Sequence, residues 1–394
     1  MNQVSVQPPI LVVSLLREQG DTGVQTHFCT FARFLAEEGR QVEIVTPYGR
    51  DAWFFYPLYA MRFPLQKLDA SLGVWWYRLS RRWALSWRLW LRLRHGRAAV
   101  VYAQCPVSGA AGLAARAHAG QAVTMVVHFN VSQADEFVGQ GALRDGGQVW
   151  RGIRQFEARV LPRLDGIVFV SRFMREQLLQ RIPQISAVAH EEIPNFVATA
   201  SRHAAPSGLR RRLIAIGTLE PRKNQRHLLR AFAAASARLP GLSLSLAGDG
   251  TDRRALQALA AELGIAAQVR FLGHVNGAAR LLPEHDACIH TARLENLPIA
   301  LIEALSCGLP VLACPVGGIP EVFSDGVEGR YLPLDDATRA GEIIAQTLAD
   351  PAVGARMAVA AAARFASAFE LDHVARRLVG FLDNVAAERA ARGP

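Results

Sequence analysis

Five cysteines are present, and no two form a Cys-x-x-Cys pair, so neither a zinc site nor a secreted disulfide framework is indicated. Free thiols, buried in a reducing compartment, are the expected state of Cys29, Cys105, Cys288, Cys307 and Cys314. No basic residue precedes the short apolar run 10–16, which reads as a first strand and not as the core of a secretion signal. The charge-free segment 98–115 is interrupted by Gln104, Pro106, Ser108 and Gly109, which argues against a membrane-spanning helix. The first strand is followed by Gly20 and Gly23 only, without the G-x-G-x-x-G that a nicotinamide-binding turn needs. Acidic residues are missing altogether from 70 to 134. The same stretch holds eight arginines, Arg78, Arg81, Arg82, Arg88, Arg92, Arg94, Arg97 and Arg116.

The 394 residues suit two domains of roughly 200 residues each, and a composition of 51% hydrophobic and 20% charged residues describes a well-buried globular protein. The formal net charge of +10 fits nucleic acid, anionic lipid or phosphorylated substrates, and the arginine segment concentrates it in the first half. A strand at 10–16, a helix from about 24 to 38 ending at Gly39, and a strand at 41–47 make a β-α-β opening. Gly23 in its turn either lets a ligand approach the backbone or is a plain turn glycine. Strands follow at 100–106 and 120–130, the latter ending at His128 and Asn130. Residues 164–178 repeat the strand-helix pattern. The polar, small-residue stretch 198–211 reads as a linker. A strand to Ile216, a glycine turn and a helix from about Asn224 open the second domain, and further strands are expected at 242–250 and 269–275.

The most informative stretch is 293–321, RLENLPIALIEALSCGLPVLACPVGGIPE. Pro298 suits a first helical turn and Gly308 the left-handed position after the last, bracketing a helix from about 298 to 307. Short apolar strands at 286–290 and 310–314 flank it. Such a unit presents a helix N-terminus at the carboxyl edge of a parallel sheet, where amides and the helix dipole receive a pyrophosphate. Glu295 stands in the loop before the helix and Glu303 about midway along it. Glu303 interrupts an apolar face, so it is either solvated or paired with something specific, such as a ribose diol.

On these residues the chain resembles the retaining glycosyltransferases of family 4, in which Glu295 and Glu303 match the E-x7-E signature. The resemblance covers most of the chain and implies an α/β fold of two Rossmann-like domains facing across a cleft, the GT-B architecture. It places an acceptor-side domain at 1–200, a donor domain at 201–371 and a C-terminal helix, 372–394, crossing back to the first. It also implies roles. Lys223 matches the lysine that neutralises the donor diphosphate. Thr218 stands where an arginine is usual, and Arg222 is the nearest replacement. Asn296, Leu297 and Pro298 line the phosphate end, Glu295 positions the sugar, and Glu303 holds the ribose. His128 resembles the histidine that meets the reacting sugar. Thr22-Gly23 partly matches a glycine pair, residues 191–197 the last strand before the linker, and 269–275 the segment that brackets the base.

The implied activity is a hexosyltransferase using a nucleoside-diphosphate sugar, with GTLEPRKN (217–224) resembling bacterial mannosyltransferases and so pointing to GDP-mannose. No Asp-x-Asp triplet is present to hold a divalent metal, so a metal-independent reaction is expected, with no cofactor. A sugar-nucleotide epimerase of the same architecture, or a non-catalytic protein binding membranes or polyanions, stays open. Residues 74–94 form a helix with Trp76, Trp83, Trp87 and Trp90 within about 60° of one another and arginines opposite. This helix predicts peripheral docking on the cytoplasmic face of an anionic membrane, arginines toward lipid phosphates and tryptophans partly inward, beside a lipid-linked or oligosaccharide acceptor. Nucleic acid is not an expected partner.

Overall fold

The computed structural model describes residues 7–20, 22–96, 98–199 and 211–392. Most of the expected linker and Arg97 lie outside the described residues. The chain divides into two compact units. One runs to Ile193 and takes up the chain again from Ala375; the other spans Pro194–Val374.

The first unit is built on six parallel strands, β1 (Ile10–Val13), β2 (Val42–Val45), β3 (Ala98–Ala103), β4 (Gly120–Val127), β5 (Gly166–Phe169) and β6 (Ala189–Glu192). Their spatial order is β2-β1-β3-β4-β5-β6, so the winding direction reverses between β1 and β3. Ile10–Val13 is buried at every position, because a doubly covered parallel sheet hides both faces of a strand. The following helix, Gly23–Glu37, starts with a capping box in which Thr22 and Gln25 satisfy each other's backbone amides. The C-terminal helix Leu371–Ala391 joins this unit from Ala375 onward. Arg40 grips Asp383 through both guanidinium nitrogens, at 2.9 and 2.5 Å, and a Cβ on Gly166 would lie 2.9 Å from Val385. Glycine at the start of β5 is therefore the condition for that helix to seat.

The second unit repeats the plan with β7 (Arg212–Ile216), β8 (Ser243–Ala247), β9 (Val269–Gly273), β10 (Ala287–His290), β11 (Val311–Ala313) and β12 (Gly329–Tyr331). All pair in parallel in the order β12-β11-β10-β7-β8-β9, with the reversal between β7 and β10. The helix Ile299–Ser306 ends as the sequence implies, with Gly308 left-handed at φ +69°, while Pro298 is its cap and not its first residue. Four of the five free cysteines are buried, and Cys29 is half-buried.

One expectation is reversed. The helix Ala70–Leu93 turns Arg78, Arg81 and Arg88 inward and Trp75, Trp83, Trp87 and Trp90 out, Arg81 being 7% exposed against 44% for Trp83, while Trp76 is half-buried with its Nε1 donating to the Leu58 carbonyl. Arg88 donates to the Thr46 carbonyl and pairs with Asp51 at 2.6 Å. The Arg81 guanidinium lies between Tyr59 and Tyr77, at 4.3 and 4.4 Å. Arg92 bridges Glu43 and Asp51. The compensating carboxylates come from outside the acid-free stretch, on β2 and the turn after it. Among the described residues no helix is long and apolar enough to cross a membrane.

Burying an arginine in this way makes its loss expensive: without Arg88 the Thr46 carbonyl loses its donor and Asp51 keeps Arg92 alone, and a glutamate there would set a second negative charge beside Asp51. Arg88→Glu should cost about 3 kcal/mol or more, whereas Trp83→Ala should change stability by about 1 kcal/mol or less. Urea unfolding of the two variants checks this, and equal midpoints would contradict the inward packing.

Candidate functional site

In the second unit the loops that leave β7, β8 and β10 meet at the carboxyl edge of the sheet, beside the reversal point where open α/β sheets bind ligands. Their backbones touch. A Cβ on Gly248 would lie 1.9 Å from the Gly217 carbonyl, and one on Gly250 would lie 2.2 Å from that of Leu219. Asn224 turns the chain left-handed (φ 56°) into the helix Gln225–Arg238, a conformation that asparagine tolerates better than most residues. The Thr291 hydroxyl donates to the Asn224 carbonyl at 3.2 Å and the Arg293 amide to that of Arg222 at 2.9 Å. These bonds fasten the cationic loop 222–224 to the loop that carries Glu295.

Glu295 is buried, and its Oε1 collects three donors: Lys223 Nζ, His290 Nε2 at 3.1 Å and Arg222 Nη1 at 3.4 Å. Burial alone would raise its pKa. The Lys223 charge, the His290 hydrogen bond and the Arg222 charge outweigh it and hold the carboxyl well below the usual range, so Glu295 is ionised. Burial keeps His290 neutral, pushed down despite that hydrogen bond. With an acceptor-only carboxylate at Nε2, the imidazole proton sits on that nitrogen. Arg222 is divided, its Nη2 held by Glu220 at 2.8 Å. Thr218 is exposed on the same loop, its carbonyl taken by Gln225.

The loop from Glu295 to Pro298 is held from two sides. The Gly318 amide donates to the Glu295 carbonyl at 3.1 Å, and a Cβ on left-handed Gly317 would lie 1.9 Å from that oxygen. From the other side Asn195 Nδ2 donates to the Leu297 carbonyl at 2.7 Å. Asn296 and Leu297 are buried, and Pro298 caps the helix Ile299–Ser306. Glu303 lies further along that helix. It is neither fully solvated nor paired: among the described residues its side chain has no hydrogen-bond partner, and burial pushes its pKa up to about 7.

The first unit gathers a second group at the carboxyl edge of its own sheet. Gly23 opens the first helix after β1, and His128 follows β4 directly. His128 Nε2 bonds Gln104 Oε1 at 3.2 Å, and its ring stands edge-on to His27 at 4.6 Å; His27 in turn reaches the Tyr102 hydroxyl at 3.0 Å. Burial lowers His128 to about 3 and His27 well below its ordinary value, so both rings are neutral at physiological pH.

The structure therefore brings Lys223, Arg222 and Glu295 into contact, with Asn296, Leu297, Pro298 and Glu303 following on one loop and helix; Gly23 and His128 belong to the other unit. Sequence reasoning missed His290, Asn195, Gln104 and the Gly317-Gly318 pair. Only the last carries a visible signal, two adjacent glycines where strand β11 gives way to a helix. Among the described residues no three His, Cys, Asp or Glu side chains are grouped to hold a metal ion.

Two family profiles account for most of the chain, one described as Glycosyltransferase Family 4 at residues 22–201 and one as Glycosyl transferases group 1 at residues 201–364. The chain belongs to this glycosyltransferase family. A GDP-mannose-dependent alpha-(1-6)-phosphatidylinositol monomannoside mannosyltransferase of Mycolicibacterium smegmatis is 31% identical over 219 residues, 50% of this chain and 56% of that protein. A D-inositol 3-phosphate glycosyltransferase of Mycobacterium avium is 33% identical over 171 residues, 42% of this chain and 39% of that protein. The matches thus span about half the length of these curated relatives, or less. Among solved structures, sucrose-phosphate synthase from Thermosynechococcus elongatus superposes with a TM-score of 0.73 at 19% identity, covering 97% of this chain and all of that one. Anabaena HepE, solved with UDP and glucose, gives 0.69 at 18% identity over 96% of this chain and 100% of its own. The fold is that of the GT-B glycosyltransferases.

Two measurements follow from this geometry. A hydroxyl donor brought to Glu303 favours its ionised form, so binding of such a ligand should release a proton near neutrality and tighten as pH rises from 6 to 8; nucleotide titrations of Glu303→Gln should be flat over that window. Gly317→Ala adds an atom against the Glu295 carbonyl at a left-handed position and should lower the thermal midpoint by several degrees, roughly 2 kcal/mol. A midpoint unchanged by that substitution would mean the loop is not held by close backbone contact.

Proposed function

We propose that the protein is a retaining hexosyltransferase that moves a sugar, mannose by the local likeness of residues 217–224, from a nucleoside diphosphate to a lipid-linked glycan acceptor. The observation that supports this most is the order of groups in one unit: a cationic loop at Lys223, a helix start at Pro298, and the unpaired carboxyl of Glu303 beyond it. That order matches diphosphate and then ribose. Departure of the nucleoside diphosphate puts negative charge on its oxygens, which Lys223 and the helix start offset as preorganised charge and dipole, with Arg222 contributing what Glu220 leaves free. The bond from the anomeric carbon to phosphate breaks, the acceptor oxygen bonds that carbon on the same face, and the acceptor proton passes to the departing phosphate. Glu295 is a poor proton acceptor because its cations hold it ionised, so its part is to orient the sugar.

The acceptor reading is supported by the exposed apolar surface at residues 53–90. Trp53, Phe63, Leu68, Trp75, Trp83, Trp87 and Trp90 all stand open to solvent, and Arg50, Lys67 and Arg94 lie exposed among them. Indoles settle at the headgroup level of a bilayer and such cations favour anionic lipid, so this surface docks the enzyme on the cytoplasmic membrane where a lipid-linked acceptor resides. The polyanion reading loses its basis, since Arg78, Arg81 and Arg88 are buried.

Lys223→Ala and Glu303→Ala should each weaken donor binding tenfold or more, about 1.5 to 3 kcal/mol, with a smaller loss for Arg222→Ala. Wild-type affinity in the first two would refute the site. Transfer should survive EDTA; loss restored by magnesium would assign the charge to a metal. Inversion of the donor sugar at C2 without transfer would identify an epimerase. Vesicle flotation should fall in Trp83→Ala/Trp87→Ala/Trp90→Ala while the fold is retained, and flotation equal to wild type would remove the membrane from the account.

A further inference from the structure

One cavity in the first unit takes no part in the site described above. It measures about 410 Å³, within the range of small-molecule pockets, and lies among the helices Ala70–Leu93, Pro106–Ala115 and Gln148–Val160. Trp75, Val149 and Phe156 give it apolar walls, and Arg78, Arg82 and Arg159 give it three positive charges. Arg78 decides its chemistry. The residue is 8% exposed; its Nη1 donates to Gln133 Oε1 at 2.6 Å, while its buried Nη2 has no hydrogen-bond partner among the described residues. Arg78 and Arg82 both stand over the Phe156 ring, at 5.5 and 5.6 Å. None of the three arginines has a carboxylate at ion-pair distance among the described residues. The nearby carboxylate, Glu157, is fully buried and already taken by Ser132 at 2.8 Å, the Gln133 amide at 3.0 Å and Arg181 at 2.8 Å.

A buried guanidinium without a carboxylate at ion-pair distance is costly, and half-buried Arg82 and exposed Arg159 add positive charge around the same space. An anion relieves it. A bare anion would leave the apolar walls uncovered, and an uncharged lipid would leave the arginines as they are. The space asks for both in one molecule: tetrahedral oxygens for the guanidinium forks and a hydrocarbon portion for the walls. Trp75 continues the cavity into the exposed aromatic surface, its ring 5.9 Å from Trp76, which stands 5.9 Å from Trp83. We infer that this cavity binds the phosphate group of an amphiphilic lipid, with Arg78, Arg82 and Arg159 around the phosphate and the chain leaving past Trp75 toward the bilayer. The inference rests on the lipid-acceptor reading and gives it a chemical class, a phosphate-bearing amphiphile.

Calorimetry of the full-length protein tests it, with decyl phosphate below its micellar concentration, decanol and inorganic phosphate as probes. Decyl phosphate should bind at least tenfold tighter than either of the others, and Arg82→Glu/Arg159→Glu, both away from the buried core, should abolish that preference. Arg78→Gln should weaken binding by about tenfold; its thermal midpoint separates this from unfolding. Equal binding of decanol, equal binding of inorganic phosphate, or wild-type binding in the double variant would overturn the inference. Decyl phosphate that raises the acceptor KM would assign the phosphate to the acceptor, and decyl phosphate that lowers flotation at unchanged KM would assign it to a docking lipid. Nucleotide thermal shifts report the donor site alone. Their failure beside intact decyl phosphate binding sinks the donor reading and leaves the cavity standing.

Discussion

The buried carboxylate of Glu295 is the constraint on which the second unit's working edge depends. An isolated charge at that depth would be protonated or would reorganise its surroundings, so the fold has to bring donors to it. It brings Lys223 and Arg222 from the loop after β7 and His290 from the end of β10. One carboxylate thereby fixes the distance between two loops that are 72 residues apart in sequence. The glycines follow from the same demand. Gly317 packs against the Glu295 carbonyl, and Gly248 and Gly250 pack against the loop that delivers Lys223, because backbones drawn this close leave no room for Cβ. Replacing such a cluster by apolar residues would make a more economical core, and its presence at a sheet's reversal point is better explained by binding than by stability.

How much of this could be read from the sequence depends on range. Short-range signals were reliable: the capped helix after β1, the left-handed Gly308 and the apolar strands β10 and β11 all have local physical causes. The Glu295 and Glu303 pair was legible because both lie on one loop and helix, and Lys223 because of its motif. His290 was not. A histidine at a strand end has many uses, and only the three-dimensional approach of Glu295, five residues on, gives it one. Asn195 was hidden for the same reason, reaching across 102 residues to the Leu297 carbonyl.

The tryptophan helix shows the failure in its sharpest form. Helical periodicity correctly separated its arginines from its tryptophans, yet periodicity says nothing about which face meets the protein. The arginines were expected to lie outward because no acidic residue stands near them in sequence. Ion pairing is spatial, and Asp51 and Glu43 supply the carboxylates from 41 and 49 residues away. Tyr59 and Tyr77 supply aromatic faces for Arg81, a weakly hydrated cation that stacks well. Once those partners exist the arginine stems can pack inward, and Trp75, Trp83, Trp87 and Trp90 are left for the outside.

Glu295 and Glu303 then make a pair whose environments push them in opposite directions. They stand eight residues apart, one before a helix and one along it, and burial acts on both. Cations at hand overcome it for Glu295, which stays charged; nothing overcomes it for Glu303, which is pushed up to about 7. A group that is already satisfied contributes geometry, holding loops in place whether or not a ligand is bound. A group that is unsatisfied contributes affinity, because any donor that reaches it relieves a penalty the free protein carries. The same contrast recurs in the first unit, where Glu157 is saturated by Ser132, Gln133 and Arg181 while Arg78 keeps an idle N–H beside a cavity. In both units the saturated charge helps to build the frame, and a group left without a hydrogen-bond partner among the described residues lies beside it.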